Sequence, residues 1–240
     1  MNTEKYQRTD LADECHTRAV NKKSIIDGVD FSEEQHGSFG LSRLTVKDKS
    51  GEALLNKPVG SYVSITFKKL LFMEDEAKDS LALLISRELR RIMTDLCPCP
   101  KSVLIAGIGN KSLTCDAIGP FTAESVTVTR PIALEDGELF RRLDRLISSA
   151  ISPGVSGETG IESADLIKSA VGIVRPDIVI AVDALAARSP DRLLSTVQLC
   201  SAGITPGSGV KNKKASLDRE LLGVPVIALG VPTVVDSSVL

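Results

Sequence analysis

Residues 103–110 have the sequence VLIAGIGN, an unbroken apolar run that passes into two glycines and an asparagine. A run of this kind is typical of a parallel strand that is buried on both faces of its sheet. Similar apolar runs occupy residues 178–182 and 226–229, and segments with helical spacing lie between the first two. This alternation predicts an α/β fold with a mostly parallel sheet that is covered by helices.

Other elements are predicted before these core strands and between them. Alternating apolar and polar residues indicate half-buried strands at residues 39–46 and 62–67, with a further strand at 196–200. Helical spacing predicts a long helix over residues 75–96. Residues 1–37 are polar with little periodicity, and we interpret them as an N-terminal extension with weak structure. Shorter elements are predicted as helices at 119–125, 137–149 and 160–174 and as a strand at 126–129.

The composition narrows the class of protein. The chain has 240 residues, 42% of them hydrophobic, and a net charge of −2, which argues against a general nucleic-acid surface. It contains no apolar stretch of the roughly 18 residues that a membrane helix needs, and residues 1–14 lack the apolar core of a signal peptide. We therefore expect a cytoplasmic protein with reduced cysteines that binds neither nucleic acid nor a membrane.

Two carboxylates, Asp116 and Asp183, follow the first two core strands. The carboxyl ends of parallel strands meet at one sheet edge, which is where open α/β sheets bind ligands. Both histidines, His16 and His36, lie in the predicted extension, so a serine or cysteine nucleophile would lack a nearby base. From spacing alone, a catalytic role for the two aspartates and a capping or turn role are equally open.

Glycine-rich loops follow or flank the same core elements, at residues 107–110, 152–160 and 205–210. Such loops let a peptide or another ligand approach the backbone closely. The loop residues predicted to support the site are Gly107, Gly109, Asn110, Gly207 and Gly209.

Cofactor sites are poorly supported. The dinucleotide fingerprint would need a third glycine at position 112, which is Ser112, and the next predicted strand is followed by Arg130 instead of an acidic residue. Cys97 and Cys99 lack the second pair of ligands that a zinc site requires. No cofactor and no metal are predicted, although two carboxylates can hold a divalent ion.

Several stretches together carry a family resemblance: residues 107–110, 114–120, 153–162, 183–188, 206–210 and 230–236, with 8–12 near the start. In these stretches the chain resembles the germination proteases, spore endopeptidases that degrade small acid-soluble spore proteins. The resemblance implies a fold related to that of hydrogenase-maturation peptidases, assembly as a homotetramer and a location in the spore core. It also implies that Asp116 and Asp183 are the catalytic aspartates.

The resemblance further implies a zymogen that cleaves itself at an acidic residue followed by a large apolar residue and alanine. Asp10, Leu11 and Ala12 fit this pattern, which predicts cleavage between Asp10 and Leu11. Residues 1–10 would then be a propeptide and residues 11–240 a single α/β peptidase domain. Because the family usually continues past Leu240, we expect this domain to lack its C-terminal part. Arg188 is a candidate for binding the acidic residue of the substrate.

Two other functions remain open from the sequence. One is a Rossmann-like protein that binds a nucleotide or metabolite without cleaving anything. The other is a metal-dependent maturation peptidase that acts on a different partner.

Overall fold

A computed structural model describes residues 9–21, 26–205 and 216–235. The strands are β1 (Val29–His36), β2 (Phe39–Val46), β3 (Gly60–Thr66), β4 (Ser102–Ile108), β5 (Ile147–Gly154), β6 (Ile178–Ala187), β7 (Thr196–Cys200) and β8 (Val226–Val235). The helices are α1 (Ala12–Val20), α2 (Lys49–Leu55), α3 (Asp75–Leu96), α4 (Ile118–Ser125), α5 (Arg130–Glu135), α6 (Gly137–Leu143), α7 (Ser156–Thr159), α8 (Ser163–Val174) and α9 (Arg219–Leu222).

The eight strands form one mixed sheet in the order β1-β2-β3-β7-β8-β6-β4-β5. Strand β4 is parallel to both β5 and β6. The pairs β1–β2, β2–β3 and β3–β7 are antiparallel. The α/β class is confirmed, but the prediction of a mostly parallel sheet is wrong. The alternating apolar and polar sequence of β2 and β3 was the relevant signal, because such alternation is typical of antiparallel sheets.

The chain divides into two compact units, and β6 and β8 contribute residues to both. The first unit contains residues 1–92, 185–202 and 229–240. Its helix α3 has the predicted bounds and buries Leu81, Leu84 and Ile92.

The predicted weak structure of residues 1–37 is wrong for residues 12–20 and 29–36, which form α1 and β1, while residues 1–8 and 22–25 fall outside the described ranges. Helix α1 buries the small side chains of Ala12, Cys15 and Ala19, which give only a faint apolar pattern. Strand β1 is an edge strand with mostly exposed side chains, so it lacks the alternation of a half-buried strand.

The second unit contains residues 93–184 and 203–228. Strands β4 and β6 and helix α8 supply most of its hydrophobic core, which includes Leu104, Ala106, Ile108, Ile167, Val171, Val179 and Ala181. Within the described ranges, no helix is both long and apolar enough to span a membrane.

Two predictions for this second unit are wrong. The helix predicted at residues 137–149 ends at Leu143, and β5 begins at Ile147. No strand forms at residues 126–129, where Thr129 precedes α5. Strand β5 contains three serines and lies at the edge of the sheet, so it lacks the apolar run by which the central strands were predicted. The hydroxyl of its Ser148 is satisfied locally, by donation to the carbonyl oxygen of Thr127 at 2.8 Å.

Candidate active site

Helix α4 lies against the ends of β4 and β6, and two glycines make this approach possible. A Cβ atom built on Gly107 would be 2.0 Å from the carbonyl oxygen of Gly119. One built on Gly119 would be 2.1 Å from the carbonyl oxygen of Ile108 and 2.5 Å from that of Val182. Since no side chain fits at such distances, both positions require glycine. The first turn of α4 is thereby fixed at the carboxyl end of β4 and beside Val182 of β6.

The loop between β4 and α4 folds back on itself and carries Asp116. Gly109 has a φ of +127°, and a Cβ atom there would be 2.0 Å from the carbonyl oxygen of Asp116. The backbone N–H of Asn110 donates to Oδ2 of Asp116 at 2.7 Å. The Asn110 side chain accepts a bond from the N–H of Ser112 at 2.7 Å, which shapes the outer part of the loop. Glycine backbone freedom and one hydrogen bond thus hold the half-buried Asp116 carboxylate at the strand end.

Asp183 lies in β6 directly after Val182, which pairs with Gly107 at the end of the β4–β6 register. Its side chain is 5% exposed, and its Oδ1 accepts the N–H of Ala184 at 2.8 Å. Asp183 is the sixth of the ten residues of β6, just past the last residue paired with β4, and the predicted strand end at Val182 is wrong because β6 continues to Ala187. Asp116 lies in the loop after β4, in contact with Gly109 and Asn110.

The capping role considered for Asp116 does not match its contacts. The residue at the N-cap of α4 is Ala117, and no side chain caps this helix. The Asp116 carboxylate instead closes the loop on Asn110. Its position two residues before Ile118, the first residue of the helix, nevertheless suits a negative charge, because the N-terminus of a helix carries a partial positive charge.

A second glycine loop lies beside the end of β4. Gly154 pairs with Ile108, has a φ of +69° and accepts a hydrogen bond from the Ser163 hydroxyl at 2.7 Å. A Cβ atom on Gly154 would be 3.6 Å from Oε2 of Glu158. Glu158 is thus a further carboxylate in this loop. The sequence prediction did not single it out, although it lies within the glycine-rich stretch.

Lys111 was also not singled out, and it ties the Asp116 loop to α4. Its Nζ lies 2.6 Å from Oε1 of Glu124 and 5.3 Å from the ring centroid of Phe121. Both partners belong to α4, so the ion pair and the cation–π contact restrain the loop from outside. An exposed lysine with a partner thirteen positions away gives no clear sequence signal.

The other predicted site residues are Gly207, Gly209, Arg188, Asp10 and Leu11. Gly207 and Gly209 fall outside the described residues. Arg188 belongs to the first unit, where its backbone N–H donates to Oε2 of Glu14 at 2.8 Å. Asp10 and Leu11 belong to the same unit, and Asp10 bonds to Ala186.

The two buried cysteines, Cys15 and Cys200, are not activated nucleophiles of the kind that a thiol peptidase needs. Burial raises the pKa of the Cys200 thiol to about 11, which keeps it protonated near neutral pH. Cys115 is exposed in the Asp116 loop. In the part of the chain that the structure describes, no three His, Cys, Asp or Glu side chains are grouped so that they could hold a metal ion.

Asp116 lies in the loop that follows β4, and Asp183 lies in the neighbouring parallel strand β6. Loops after parallel strands are where α/β enzymes bind their ligands. A family model described as germination protease matches residues 6–240. The chain belongs to the germination protease family, which confirms the resemblance inferred from its motifs.

Individual relatives agree with this assignment. A germination protease of Caldanaerobacter subterraneus is 42% identical over 236 residues, which cover 96% of this chain and 69% of that protein. One of Bacillus mycoides is 39% identical over 240 residues, which cover 96% of this chain and 63% of the relative. The chain thus spans about two thirds of the length of these relatives.

Proposed function

We propose that this chain is the peptidase part of an endopeptidase that degrades small acid-soluble spore proteins during germination. Membership of the germination protease family supports the reaction class. The observation that supports the proposed pair is that the loop after β4 holds Asp116 while the buried Asp183 follows Val182, the last residue of β6 that pairs with β4. The fold likeness to hydrogenase-maturation peptidases, the homotetramer and the spore-core location stay predictions within this proposal.

Two carboxylates that serve one site do not both ionise easily, so one of them would hold a proton. The ionised partner would take a proton from water as the water attacks the peptide carbonyl. The protonated partner would stabilise the developing oxyanion and protonate the leaving amine. The shared proton belongs to the pair and is assigned to neither residue. The backbone N–H groups of the glycine loops are further candidates for binding the oxyanion.

The proposal includes self-processing between Asp10 and Leu11, which would separate a propeptide (residues 1–10) from the peptidase domain. This site has the acidic, large apolar and alanine residues expected of the substrate. Arg188 stays the proposed cation for the acidic residue that precedes the cut.

Incubating the purified chain and mapping its N-terminus by mass spectrometry tests this function. We expect a product that begins at Leu11. The variants Asp116→Asn and Asp183→Asn should each slow its appearance by about 10²–10⁴-fold, because each removes one acid–base group. Normal processing in either variant would contradict the proposed pair.

Asp177→Asn is a matched control, because Asp177 precedes β6 at the opposite end of the strand. Its Oδ2 accepts the N–H groups of Lys101 and Ser102 at 2.7 and 2.8 Å, and these bonds hold the pKa of Asp177 below its ordinary value. Asparagine keeps one acceptor oxygen, so this variant should be processed like the unaltered chain. Cleavage that stops on addition of a chelator would instead support the metal-dependent peptidase.

A further inference from the structure

The peptide bond that the proposed function cleaves is folded into the first unit. Leu11 and Ala12 are both fully buried. The N–H of Leu11 donates to the hydroxyl of Thr9 at 3.0 Å, and the Leu11 carbonyl oxygen accepts the N–H of Cys15 at 3.2 Å. A peptidase needs its substrate segment extended and accessible, so the bond between Asp10 and Leu11 cannot be cut in this conformation.

Gln198 holds the backbone on both sides of this bond. Its Nε2 donates to the carbonyl oxygen of Asp10 at 3.0 Å, and its Oε1 accepts the N–H of Ala12 at 2.7 Å. Gln198 is itself only 6% exposed and lies in β7. Its side-chain amide therefore pairs with the junction as a neighbouring strand would.

Lys57 adds a second donor to the same carbonyl group. Its Nζ lies 2.9 Å from the carbonyl oxygen of Asp10. A charged donor forms a stronger hydrogen bond than a neutral one, so this contact adds substantially to the pairing by Gln198.

Flanking contacts hold the rest of the segment. The N–H of Asp10 donates to the carbonyl oxygen of Ala186, and Oδ2 of Asp10 accepts the N–H of Ala186, both at 2.8 Å. The Glu14 carboxylate accepts the N–H groups of Arg188 at 2.8 Å and Ser189 at 3.1 Å. Both ends of the segment are thus tied to residues 186–189.

We propose that Lys57 and Gln198 hold the Asp10 carbonyl and so keep the bond between Asp10 and Leu11 inaccessible. We call these two residues the junction latch. They are positioning residues, since they act on self-processing only through the conformation of the junction. Self-processing then proceeds only from a locally opened state, in which residues 9–12 have lost these contacts. The junction latch determines the population of that open state. This inference rests on the proposed cleavage between Asp10 and Leu11. It adds the residues that control when the bond becomes accessible.

An external peptidase tests the latch without using the chain's own activity. The full chain carrying Asp183→Asn is treated with an added endopeptidase that cuts after acidic residues, and the rate of cutting after Asp10 is measured. Adding Gln198→Met or Lys57→Met should raise that rate about three- to tenfold, because each removes hydrogen bonds that exist only in the closed state. Cutting at other acidic residues should stay at its original rate.

Two variants complete the design. Lys57→Arg keeps a cationic donor and should restore most of the protection. Gln35→Met alters an exposed glutamine of β1 whose bond is to Gly37, and it should leave cutting after Asp10 unchanged. An unchanged rate in both latch variants would overturn the proposal, as would an equal rise at every acidic site, which would indicate general unfolding. Failure of the proposed function would appear separately, as the absence of self-cleavage in the chain that retains Asp183.

Discussion

The Asp116 loop (residues 109–116) and the Asp10 junction (residues 9–14) are both short segments that carry a proposed chemical role, and they are held by different kinds of contact. The Asp116 loop is held by neighbours in sequence, through the glycine backbone and the Asn110 N–H. The junction is held by distant residues, with Gln198 and Ala186 among its partners. Local contacts place the Asp116 carboxylate, whereas long-range contacts close a peptide bond against cleavage.

This difference predicts how each segment responds to mutation. A segment fixed by close backbone approach has no room to relax, so a single added carbon should displace it. A segment fixed by several separate hydrogen bonds should loosen by degrees as each bond is removed.

The largest effect is expected from Gly119→Ala. The new Cβ atom would lie within 2.5 Å of two backbone oxygens, so α4 must move away from the strand ends. We expect a loss of about 4 kcal/mol or more in the free energy of unfolding, together with loss of peptidase activity. The control is Gly172→Ala in α8, where nothing lies within 4 Å of the added carbon. It should stabilise the chain by about 0.5–1 kcal/mol, since alanine is the better helix former. Denaturant unfolding would measure both, and equal effects would contradict the close-approach argument.

A smaller effect is expected from Glu88→Gln in the unit that holds the junction. Glu88 is 2% exposed, and Arg43 bonds to both of its oxygens, at 2.8 and 3.2 Å. Removing the charge takes away the buried carboxylate partner of Arg43 and leaves it paired with the exposed Glu34, at a cost of about 2 kcal/mol near neutral pH.

The same variant predicts a pH dependence. Burial alone would raise the pKa of Glu88, but the bonds from Arg43 and Arg91 outweigh it and leave the pKa below its ordinary value of 4.5. A carboxylate with a lowered pKa contributes stability above its unfolded-state pKa and loses it as the pH falls through the folded-state pKa. The difference in the free energy of unfolding between the unaltered chain and Glu88→Gln should therefore have its full value at pH 7 and become smaller below about pH 4.5. A difference that grows in acid would contradict this reasoning.

A still smaller effect on stability is expected at Asp116, where two variants distinguish its structural contact from its proposed acid–base role. Asp116→Ala removes the acceptor for the Asn110 N–H and should lower stability by about 1 kcal/mol. Asp116→Asn keeps an acceptor oxygen and should be nearly neutral in unfolding experiments. Both variants should lose activity to a similar extent. If only the alanine variant lost activity, Asp116 would be a loop-closing residue and not an acid–base group.

The smallest effect is expected from the cysteines. Burial raises the pKa of Cys15 and Cys200, so both thiols should resist alkylation in the folded chain at neutral pH. Cys99 and Cys115 are exposed and should be labelled rapidly. Cys115→Ser should leave peptidase activity unchanged. A large loss of activity would instead support the hypothesis that the Cys115 thiol is the nucleophile. Mass spectrometry of labelled peptides checks the first expectation.

The features that the sequence predicted well are local ones. Unbroken apolar runs located β4 and β6, helical spacing located α3, and adjacent glycines indicated a loop that approaches the backbone closely. The parallel pairing of β4 with β6 also agrees with these runs, which are typical of buried parallel strands. The joint action of Asp116 and Asp183 stays a prediction.

The features that it missed depend on distant partners or on weak patterns. The exposed edge strand β1, the serine-rich edge strand β5 and the small-residue face of α1 gave little hydrophobic signal. The burial of Leu11 depends on how the rest of the first unit folds around it. Gln198 is 188 positions away from the Asp10 carbonyl group that it binds. No sequence motif near Asp10 indicates the burial of Leu11 or the hydrogen bond from Gln198.

The central claim is that Asp116 and Asp183 act together on a peptide bond, and cleavage of a supplied peptide tests it most directly. A synthetic peptide with an Asp-Leu-Ala sequence avoids the junction latch, because the bond to be cut is already exposed. Asp116→Asn and Asp183→Asn should each lower kcat/KM by about 10²–10⁴-fold, while Asp177→Asn stays close to the unaltered chain. Cleavage at the unaltered rate by either of the first two variants would contradict the claim.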